Sequence, residues 1–463
     1  MTKIKFGTAG WRAILSDEFT FANVRRVLNA IVLYLREKRL DKKPVVIGSD
    51  TRFMSDNFRR FTAEHLADYG IDSLITNRDC PTPVISFIIR DKSLAGGINY
   101  TASHNPPEYQ GIKFSPDNGA LANNDTTKLI ESLIDKPVDP SEIKGRFCEI
   151  NPIENYLKEL EKLIDLETVK KANLKIAYDA LYGTGRGYLD EILKRAGVEV
   201  TMLHEIPNPL FGGSRPEPSE ENLEELISMV KNGPFNLGLS TDGDADRFGV
   251  VDSDGTFFIA NKVLCFVAWH LSKNKNKTGR IVRNVSTTCM LDRIAKYLGV
   301  ELVEVPVGFK NIGPYIIEGD VLVGGEESAG LSIGGHVPDK DGILACTLMA
   351  ELVAMEGKSL KEIWKDIVAA VGDVWNDRVD LELTQEKKEQ LLEKFENASK
   401  ENILGRKVEK FNGIDGYKFT FGPSDWILVR PSGTEPIVRC YMESDTPENG
   451  EKLKADLMEF LEV

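Results

Sequence analysis

The chain has 463 residues, of which 41% are hydrophobic and 28% are charged, and its formal net charge is −14. That length is too great for a single hydrophobic core, so we expect about three or four globular domains. The acidic balance argues against non-specific binding to nucleic acid or to an anionic membrane. Any cations that hold an anionic ligand must therefore be gathered locally.

The six cysteines are scattered without metal-ligand spacing. Most lie in apolar runs, so we expect reduced core residues in a cytoplasmic protein. The first residues lack the apolar stretch of a signal peptide, and no apolar run approaches the ~18 residues of a membrane helix. We therefore expect no membrane partner.

The first predicted domain, residues 1–148, alternates strands with amphipathic helices, which favours a largely parallel α/β sheet. The predicted elements are strands at 44–48, 71–75 and 94–100 and helices at 58–69 and 82–90. Prolines spaced through a polar stretch near 140–152 indicate its end.

The strand at 94–100 runs into the loop Thr101–Pro107, with the sequence TASHNPP. A hydroxyl fixed at the end of a strand could act as a nucleophile, and here that residue is Ser103. The alternative is an ordinary capping or turn serine. Nearer the N-terminus, a glycine-punctuated loop brings Arg12 close to tight backbone, for which a simple turn is the alternative.

The second predicted domain, residues 152–253, contains a glycine loop at 183–187 between a strand at 174–178 and a helix at 188–195. Its G-x-G-x-G spacing differs from the dinucleotide-binding pattern, and no P-loop lysine follows. A tight strand-to-helix turn that could face a phosphate is the better interpretation. The Pro- and Gly-rich stretch at 207–218 is expected on the surface.

A strand at 235–239 leads into the acidic run DGDADR, which places carboxylates at Asp242, Asp244 and Asp246. Three carboxylates at alternate positions suit a hard divalent cation. An EF-hand is excluded because Arg247 stands where glycine is required and Ser253 where a bidentate glutamate is required. A solvated acidic turn is the other alternative, but the apolar strand before the run favours a metal, preferably Mg²⁺.

The third predicted domain, residues 254–372, repeats the α/β pattern, and three of its loops carry polar groups. Its predicted elements are helices at 262–271 and 290–298 and strands at 280–285, 301–305 and 320–323; the loops are 307–312, 324–330 (GGEESAG) and 335–342 (GHVPDKDG). Carboxylates and a hydroxyl in a glycine loop can bind sugar hydroxyls. A polar turn with a helix N-cap is the alternative.

The fourth predicted domain, residues 376–463, mixes Lys/Glu-rich helices with a strand at 426–429. That strand runs into Arg430–Pro436, and a second arginine follows at Arg439. Two arginines around short hydroxyls and exposed amides make a good oxyanion cradle, with an incidental surface turn as the alternative.

Each of the four loops follows an apolar strand, where ligands bind on open α/β sheets. A nucleophile, a metal, sugar ligands and a phosphate clamp in one cleft fit phosphoryl transfer. The four motifs, in this order and across nearly the whole chain, resemble the α-D-phosphohexomutase family. The resemblance implies three similar mixed α/β domains and a smaller C-terminal α+β domain around a central cleft.

The resemblance also implies roles for particular residues. Ser103 is the residue that carries phosphate and, with the three aspartates, it completes the Mg²⁺ site. His104, Arg12 and Lys113 support the Ser103 side, and Lys340 is the base candidate on the sugar side, with a surface lysine as its alternative. Substrate binding is expected at Arg247, Gly308, Lys310, Glu326, Ser328, His336, Arg430, Ser432, Gly433, Thr434 and Arg439.

The implied reaction is the reversible interconversion of hexose 1-phosphate and hexose 6-phosphate through a hexose 1,6-bisphosphate, with glucose 1,6-bisphosphate as activator. The sugar loop resembles the phosphoglucomutase form, because Glu327 and Gly330 stand where the phosphomannomutase/phosphoglucomutase form has Met and His. The phosphoglucosamine mutase form has Gln before the serine. Glucose is therefore the first choice and mannose the second, in a monomer or homodimer.

Three alternatives to this function stay open. They are a glucose 1,6-bisphosphate synthase, a phosphopentomutase and a catalytically inert sugar-phosphate binder.

Overall fold

A computed structural model of the chain describes residues 3–7, 10–431 and 437–462. The first domain is built on a six-stranded sheet with the order β1-β5-β4-β2-β3-β6. Its elements are β1 (Trp11–Ile14), α1 (Phe21–Glu37), β2 (Val45–Ser49), α2 (Ser55–Asp68), β3 (Ser73–Thr76), α3 (Thr82–Asp91), β4 (Gly96–Tyr100), β5 (Tyr109–Pro116), α4 (Asn124–Leu133) and β6 (Phe147–Ile150).

The second domain has a five-stranded sheet with the order β11-β10-β9-β7-β8. Its elements are α5 (Ile153–Glu161), α6 (Leu166–Ala172), β7 (Lys175–Asp179), α7 (Leu189–Arg195), β8 (Glu199–Leu203), α8 (Glu224–Asn232), β9 (Leu237–Thr241), β10 (Phe248–Asp252) and β11 (Phe257–Phe258), with short 3-10 helices at Phe211–Gly213 and Glu221–Leu223.

The third domain has a four-stranded sheet with the order β13-β12-β14-β15. Its elements are α9 (Ala260–Lys273), β12 (Arg280–Asn284), α10 (Met290–Leu298), β13 (Leu302–Val305), a 3-10 helix (Phe309–Asn311), α11 (Gly313–Glu318), β14 (Val321–Glu326), β15 (Gly330–Ser332), α12 (Gly342–Glu356) and α13 (Leu360–Val371).

The fourth domain has a five-stranded antiparallel sheet, β16-β22-β21-β20-β19, beside a two-stranded ribbon of β17 and β18. Its elements are β16 (Trp375–Glu382), α14 (Gln385–Glu396), β17 (Asn402–Ile403), β18 (Arg406–Lys407), β19 (Lys410–Asn412), β20 (Tyr417–Thr420), β21 (Trp426–Pro431), β22 (Ile437–Ser444) and α15 (Pro447–Leu461). Within the described ranges, no helix is long and apolar enough to cross a membrane.

The first three sheets share one topology. Each contains three parallel strands followed by an antiparallel fourth, in the orders β3-β2-β4-β5, β8-β7-β9-β10 and β13-β12-β14-β15. Each hairpin between the third and fourth strand also contains a non-glycine residue in the left-handed region: Ser103 (φ 53°), Ala245 (φ 55°) and Ala329 (φ 66°). The three loops for which the sequence predicts a phosphoserine, a metal site and a sugar-binding site thus occupy equivalent positions of one repeated motif.

Helix α12 lies between the second and third domains. It is buried on all sides over most of its length, as its largely apolar sequence allows. Its first residue, Gly342, donates its backbone N–H to the Ala245 carbonyl at 3.1 Å. A Cβ at this glycine would lie 2.1 Å from the carbonyl oxygen of Arg247, a distance that no side chain tolerates. Glycine therefore allows the third domain to pack directly on the metal loop.

Candidate active site

The loop that carries Ser103 is held in place by hydrogen bonds from Arg52, a residue that the sequence motifs do not include. Its guanidinium donates to four backbone carbonyl oxygens at 2.6–3.0 Å, those of Ser103, Asn105, Pro106 and Tyr109. Asp50 balances its charge, with 3.0 Å between Arg52 Nε and Asp50 Oδ2. A buried arginine with five rigid donors can fix an irregular loop in this way.

Ser103 joins this loop to the metal-binding loop of the second domain. Its Oγ donates to Asp242 Oδ2 at 2.9 Å and lies 3.3 Å from Nδ1 of His104. The side chain of Thr101 fixes its backbone, accepting from Ser103 N at 2.8 Å. Ser103 is only 1% exposed. This hydroxyl is therefore almost completely covered by the loops around it.

Asp242, Asp244 and Asp246 form a compact buried group whose carboxylate oxygens lie within 4.8 Å of one another. Among the described residues, Oδ1 of Asp244 and Oδ1 of Asp246 have no hydrogen-bond partner although both are buried. Oxygen donors left unpaired in this way fit a hard divalent cation. The observed geometry is therefore compatible with the predicted Mg²⁺ site.

Lys113 supplies the positive charge next to these carboxylates. Its Nζ lies 2.5 Å from Asp244 Oδ2 and 2.8 Å from Asp246 Oδ2. Burial opposes the charge of Lys113, but the two carboxylates outweigh it and raise the pKa of the lysine. Burial and the neighbouring carboxylates raise the pKa of Asp242. Lys113 and the three aspartates thus share one buried site. Three carboxylates in one buried site need nearby positive charge to stay ionised, and Lys113 supplies part of it.

Residues of the first and second domains support the metal loop. From the first, Thr82 donates its hydroxyl to Asp244 Oδ2 and its N–H to the Asp244 carbonyl. From the second, Thr184 N donates to Gly243 O at 3.1 Å, and a Cβ at Gly183 would lie 2.8 Å from that oxygen. The glycine loop at 183–187 therefore packs against the metal loop, which is a structural role that the phosphate-turn interpretation did not anticipate.

Arg247 of the second domain contacts His104 of the first domain. Arg247 Nη1 donates to Glu217 at 2.9 Å, and its Nη2 lies 3.5 Å from Nε2 of His104. Burial and the nearby Arg247 hold the pKa of His104 well below its usual value, so this imidazole is neutral. Arg12 reaches the same loop and donates to Asn105 Oδ1 at 2.7 Å.

The predicted surface position of residues 207–218 is wrong for part of the stretch. Phe211 is buried with its ring 4.9 Å from the guanidinium of Arg52, and Pro216 O accepts from Gly243 N at 3.1 Å. The stretch thus contacts both the Ser103 loop and the metal loop. Proline and glycine content is typical of turns but does not report which turn side chains are buried.

Lys340 lies inside the site. Its Nζ is 3.1 Å from Asp246 Oδ2, and its aliphatic stem packs so closely on Gly330 that a Cβ there would lie 2.2 Å from Lys340 Cδ. His336 from the same motif has no exposed side-chain surface, and its Nε2 lies 2.7 Å from Asp341 Oδ2. The structure therefore places Lys340 beside the three aspartates. His336 instead lies in a buried pair with Asp341.

The sugar loop is organised around Glu326. Its Oε1 accepts from Gly308 N at 2.8 Å and from Asn284 Nδ2 at 3.3 Å, and burial raises its pKa. Lys310, two residues after Gly308, donates to Asn124 of the first domain at 2.8 Å. Ser328 is half-buried on the same hairpin. Gly308 and Glu326 are therefore joined by a hydrogen bond, and Lys310 links the same segment to the first domain.

The two arginines of the fourth domain lie directly opposite each other on β21 and β22. Arg430 Nε donates to Asp415 Oδ2 at 3.0 Å, and Arg439 Nε lies 3.6 Å from Asp380 Oδ2. The predicted phosphate-binding residues Ser432, Gly433 and Thr434 lie outside the described residues.

Models of the four phosphoglucomutase/phosphomannomutase domains match the chain in order. Alpha/beta/alpha domains I, II and III match residues 3–139, 154–255 and 260–371, and the C-terminal domain matches residues 378–460. The chain belongs to the phosphoglucomutase/phosphomannomutase family. The predicted family and fold class are confirmed, and the chain is a phosphoryl-transferring mutase of that family.

Similar proteins cover nearly the whole chain. A phosphoglucomutase/phosphomannomutase of Thermococcus kodakarensis is 29% identical over 96% of this chain and 95% of the relative. A probable phosphoglucosamine mutase of Pyrococcus horikoshii is 31% identical over 97% of this chain and 95% of the relative. The crystal structure of a Thermus thermophilus protein assigned as a phosphomannomutase is 34% identical, with a TM-score of 0.87 and 100% of both chains covered.

Proposed function

We propose that this mutase interconverts hexose 1-phosphate and hexose 6-phosphate through phosphorylated Ser103 and a hexose 1,6-bisphosphate, with glucose as preferred sugar and mannose as second. The observation that carries the proposal is the 2.9 Å hydrogen bond from Ser103 Oγ to Asp242 of the three-carboxylate group. A nucleophile in contact with a cation site is the arrangement that phosphoryl transfer requires.

In the proposed first step, the bond from phosphorus to Ser103 Oγ breaks as a hexose hydroxyl forms a new bond to phosphorus. The hydroxyl proton passes to a base, for which Lys340 is the candidate, and a proton is delivered to the departing Ser103 oxygen. The bisphosphate then turns over. The bond from its other phosphorus to the sugar oxygen breaks as Ser103 Oγ forms a new bond to phosphorus, while Ser103 loses its proton and the sugar oxygen gains one. Asp242, Asp244 and Asp246 would hold Mg²⁺, which when bound neutralises charge on the transferred group.

The remaining residues of the site are assigned to binding. Glu326, Gly308 and Lys310 would hold the sugar, while Arg247 and Arg12 line the side of Ser103. Arg430 and Arg439 would bind the phosphate that is not being transferred. Because the sugar reverses between the two steps, this clamp must accept the phosphate of either end in turn.

The choice of sugar depends on the hairpin around Glu327. Its two carboxylate oxygens accept from Asn284 Nδ2 at 2.9 Å and from Tyr441 OH at 3.2 Å. The loop form favours glucose, but relatives named as phosphoglucosamine mutases make glucosamine 1-phosphate the comparison that matters most.

Phosphorus NMR tests the proposal directly. The protein with Mg²⁺ and a trace of glucose 1,6-bisphosphate is given glucose 1-phosphate, mannose 1-phosphate, glucosamine 1-phosphate or ribose 1-phosphate. We expect isomerisation of the glucose ester to be fastest and that of the mannose ester second. Net bisphosphate formation from a separate donor would instead identify a synthase, and preference for the amino sugar or the pentose would reassign the substrate.

A further inference from the structure

The turn between β19 and β20 carries a carboxylate, Asp415, that lies outside all four predicted loops. One of its oxygens, Oδ2, accepts from Val307 N at 2.9 Å and from Arg430 Nε at 3.0 Å. Val307 belongs to the third domain and Arg430 to the fourth. A single oxygen atom therefore bridges the sugar side and the phosphate side of the site.

The hydrogen bonds continue from Val307 to Glu326, the carboxylate of the predicted sugar-binding loop. Gly308, which follows Val307, donates its N–H to Glu326 Oε1 at 2.8 Å. With φ at 113°, this position requires glycine, so the two adjacent N–H groups point to two different carboxylates. Glu326, the 307–308 backbone, Asp415 and Arg430 thus form one continuous hydrogen-bonded chain.

The turn that holds Asp415 is itself anchored to the third domain on both sides. Asn412 Nδ2 donates to Glu304 Oε1 at 2.7 Å, and Lys418 Nζ donates to Glu304 Oε2 at 2.8 Å. Burial opposes ionisation of Glu304, but Arg283 and Lys418 outweigh it and lower its pKa to about 2. Asp415 is therefore presented by a fixed platform, which allows it to orient a neighbouring side chain.

We propose that Asp415 is a positioning residue that orients Arg430 for phosphate and couples the fourth domain to the Glu326 loop. This inference rests on the proposed function, in which Arg430 binds the phosphate that is not transferred. A carboxylate on Nε fixes the plane of the guanidinium before the ligand arrives, so less side-chain freedom is lost on binding. Since the clamp serves both ends of the sugar, the effect must be the same for both esters.

The test is steady-state kinetics of Asp415→Asn in both directions. We expect KM for the hexose 1-phosphate and for the 6-phosphate to rise together by about tenfold, with kcat changed by less than about twofold, because the charged hydrogen bond that orients Arg430 is weakened. The control is Asp456→Asn, which breaks the pair with Arg406 at 3.1 Å elsewhere in the fourth domain. It should leave both KM values unchanged.

A double-mutant cycle with Arg430→Ala separates this inference from the proposed function. Arg430→Ala alone should raise both KM values, and Asp415→Asn should add little in that background. If Arg430→Ala raises KM but Asp415→Asn does not, Asp415 has no positioning role and the clamp stands. If Asp415→Asn lowers KM, the carboxylate competes with phosphate, which also overturns the inference. If Arg430→Ala changes neither KM, the clamp itself is wrong.

Asp415→Ser is the second variant in case Asp415→Asn folds poorly. It removes the charge and has a small polar side chain that suits a turn. It should show the same parallel rise in both KM values at an unchanged kcat. A normal KM in this variant would contradict the positioning role.

Discussion

At the scale of single residues, the proposed nucleophile Ser103 has a backbone conformation that a non-glycine residue does not favour. Ser103 has φ at 53°, in the left-handed region, which costs a non-glycine residue about 1–3 kcal/mol at a functional site. Arg52 offsets this cost through its hydrogen bonds to the carbonyls of the loop. The position of the hydroxyl therefore depends on the buried guanidinium of Arg52.

Arg52→Lys tests that dependence. Lysine keeps the charge but cannot reach four carbonyls with one rigid fork, so we expect a loss of about 1–3 kcal/mol in unfolding free energy. Turnover should fall by about 10²-fold because the nucleophile shifts. Urea unfolding and initial rates measure the two effects. Arg60→Lys, on the exposed face of α2, is the control and should change neither.

His65 makes the stability of the first domain depend on pH. Burial and then Arg25 lower the pKa of its ring to about 4, from about 6.5 in the unfolded chain. At pH values between these two pKa values, His65 is protonated in the unfolded chain but not in the folded protein. The free energy of unfolding is therefore highest above the unfolded-state pKa and decreases as pH falls towards the folded-state pKa. From pH 7 to pH 5, the loss should be about 2 kcal/mol.

The pH dependence of His65→Gln isolates this effect. The difference in unfolding free energy between wild type and variant should move in favour of the variant as pH falls. Urea unfolding at several pH values measures it. Equal slopes for the two proteins would mean that the ring is protonated in the folded state as readily as in the unfolded chain.

At the scale of elements, the sequence predicts the loops well and their supports poorly. The motifs at Ser103, Asp242–Asp246 and Glu326 are local, and a strand followed by polar residues reveals them. Arg52 lies 51 positions from Ser103, and Thr82 lies 162 positions from Asp244. No periodicity connects such pairs, because tertiary packing alone brings them together.

The start of α3 is one such support. Thr82→Val keeps the size of the side chain but removes the hydroxyl that orients Asp244, so we expect divalent cation affinity to fall by about tenfold or more. Calorimetric titration with Mn²⁺ measures this without turnover. Ser86→Ala is the matched control, because that hydroxyl donates to Gly119 O at 2.6 Å on the same helix. Equal affinities for the two variants would contradict the role of Thr82.

At the scale of the whole molecule, the repeated sheet topology places the loops at Ser103, Asp242–Asp246 and Glu326 at equivalent positions of three domains. The α/β alternation in the sequence predicts the fold class, but it does not show that three domains share one strand order. Nor does it show that Gly342 of the third domain packs on the metal loop of the second. Those features depend on strand pairing and on close backbone contacts, which a single sequence does not encode as a local pattern.

The proposed mechanism makes one demand on the reaction: phosphate must pass through Ser103. Incubation with hexose 1,6-bisphosphate labelled in its phosphate, followed by peptide mass spectrometry, measures this most directly. The account predicts label on the peptide that contains Ser103, and neither label nor multiple turnover in Ser103→Ala, which should still bind the bisphosphate. Turnover of Ser103→Ala near the wild-type rate, or label on another residue, would contradict it.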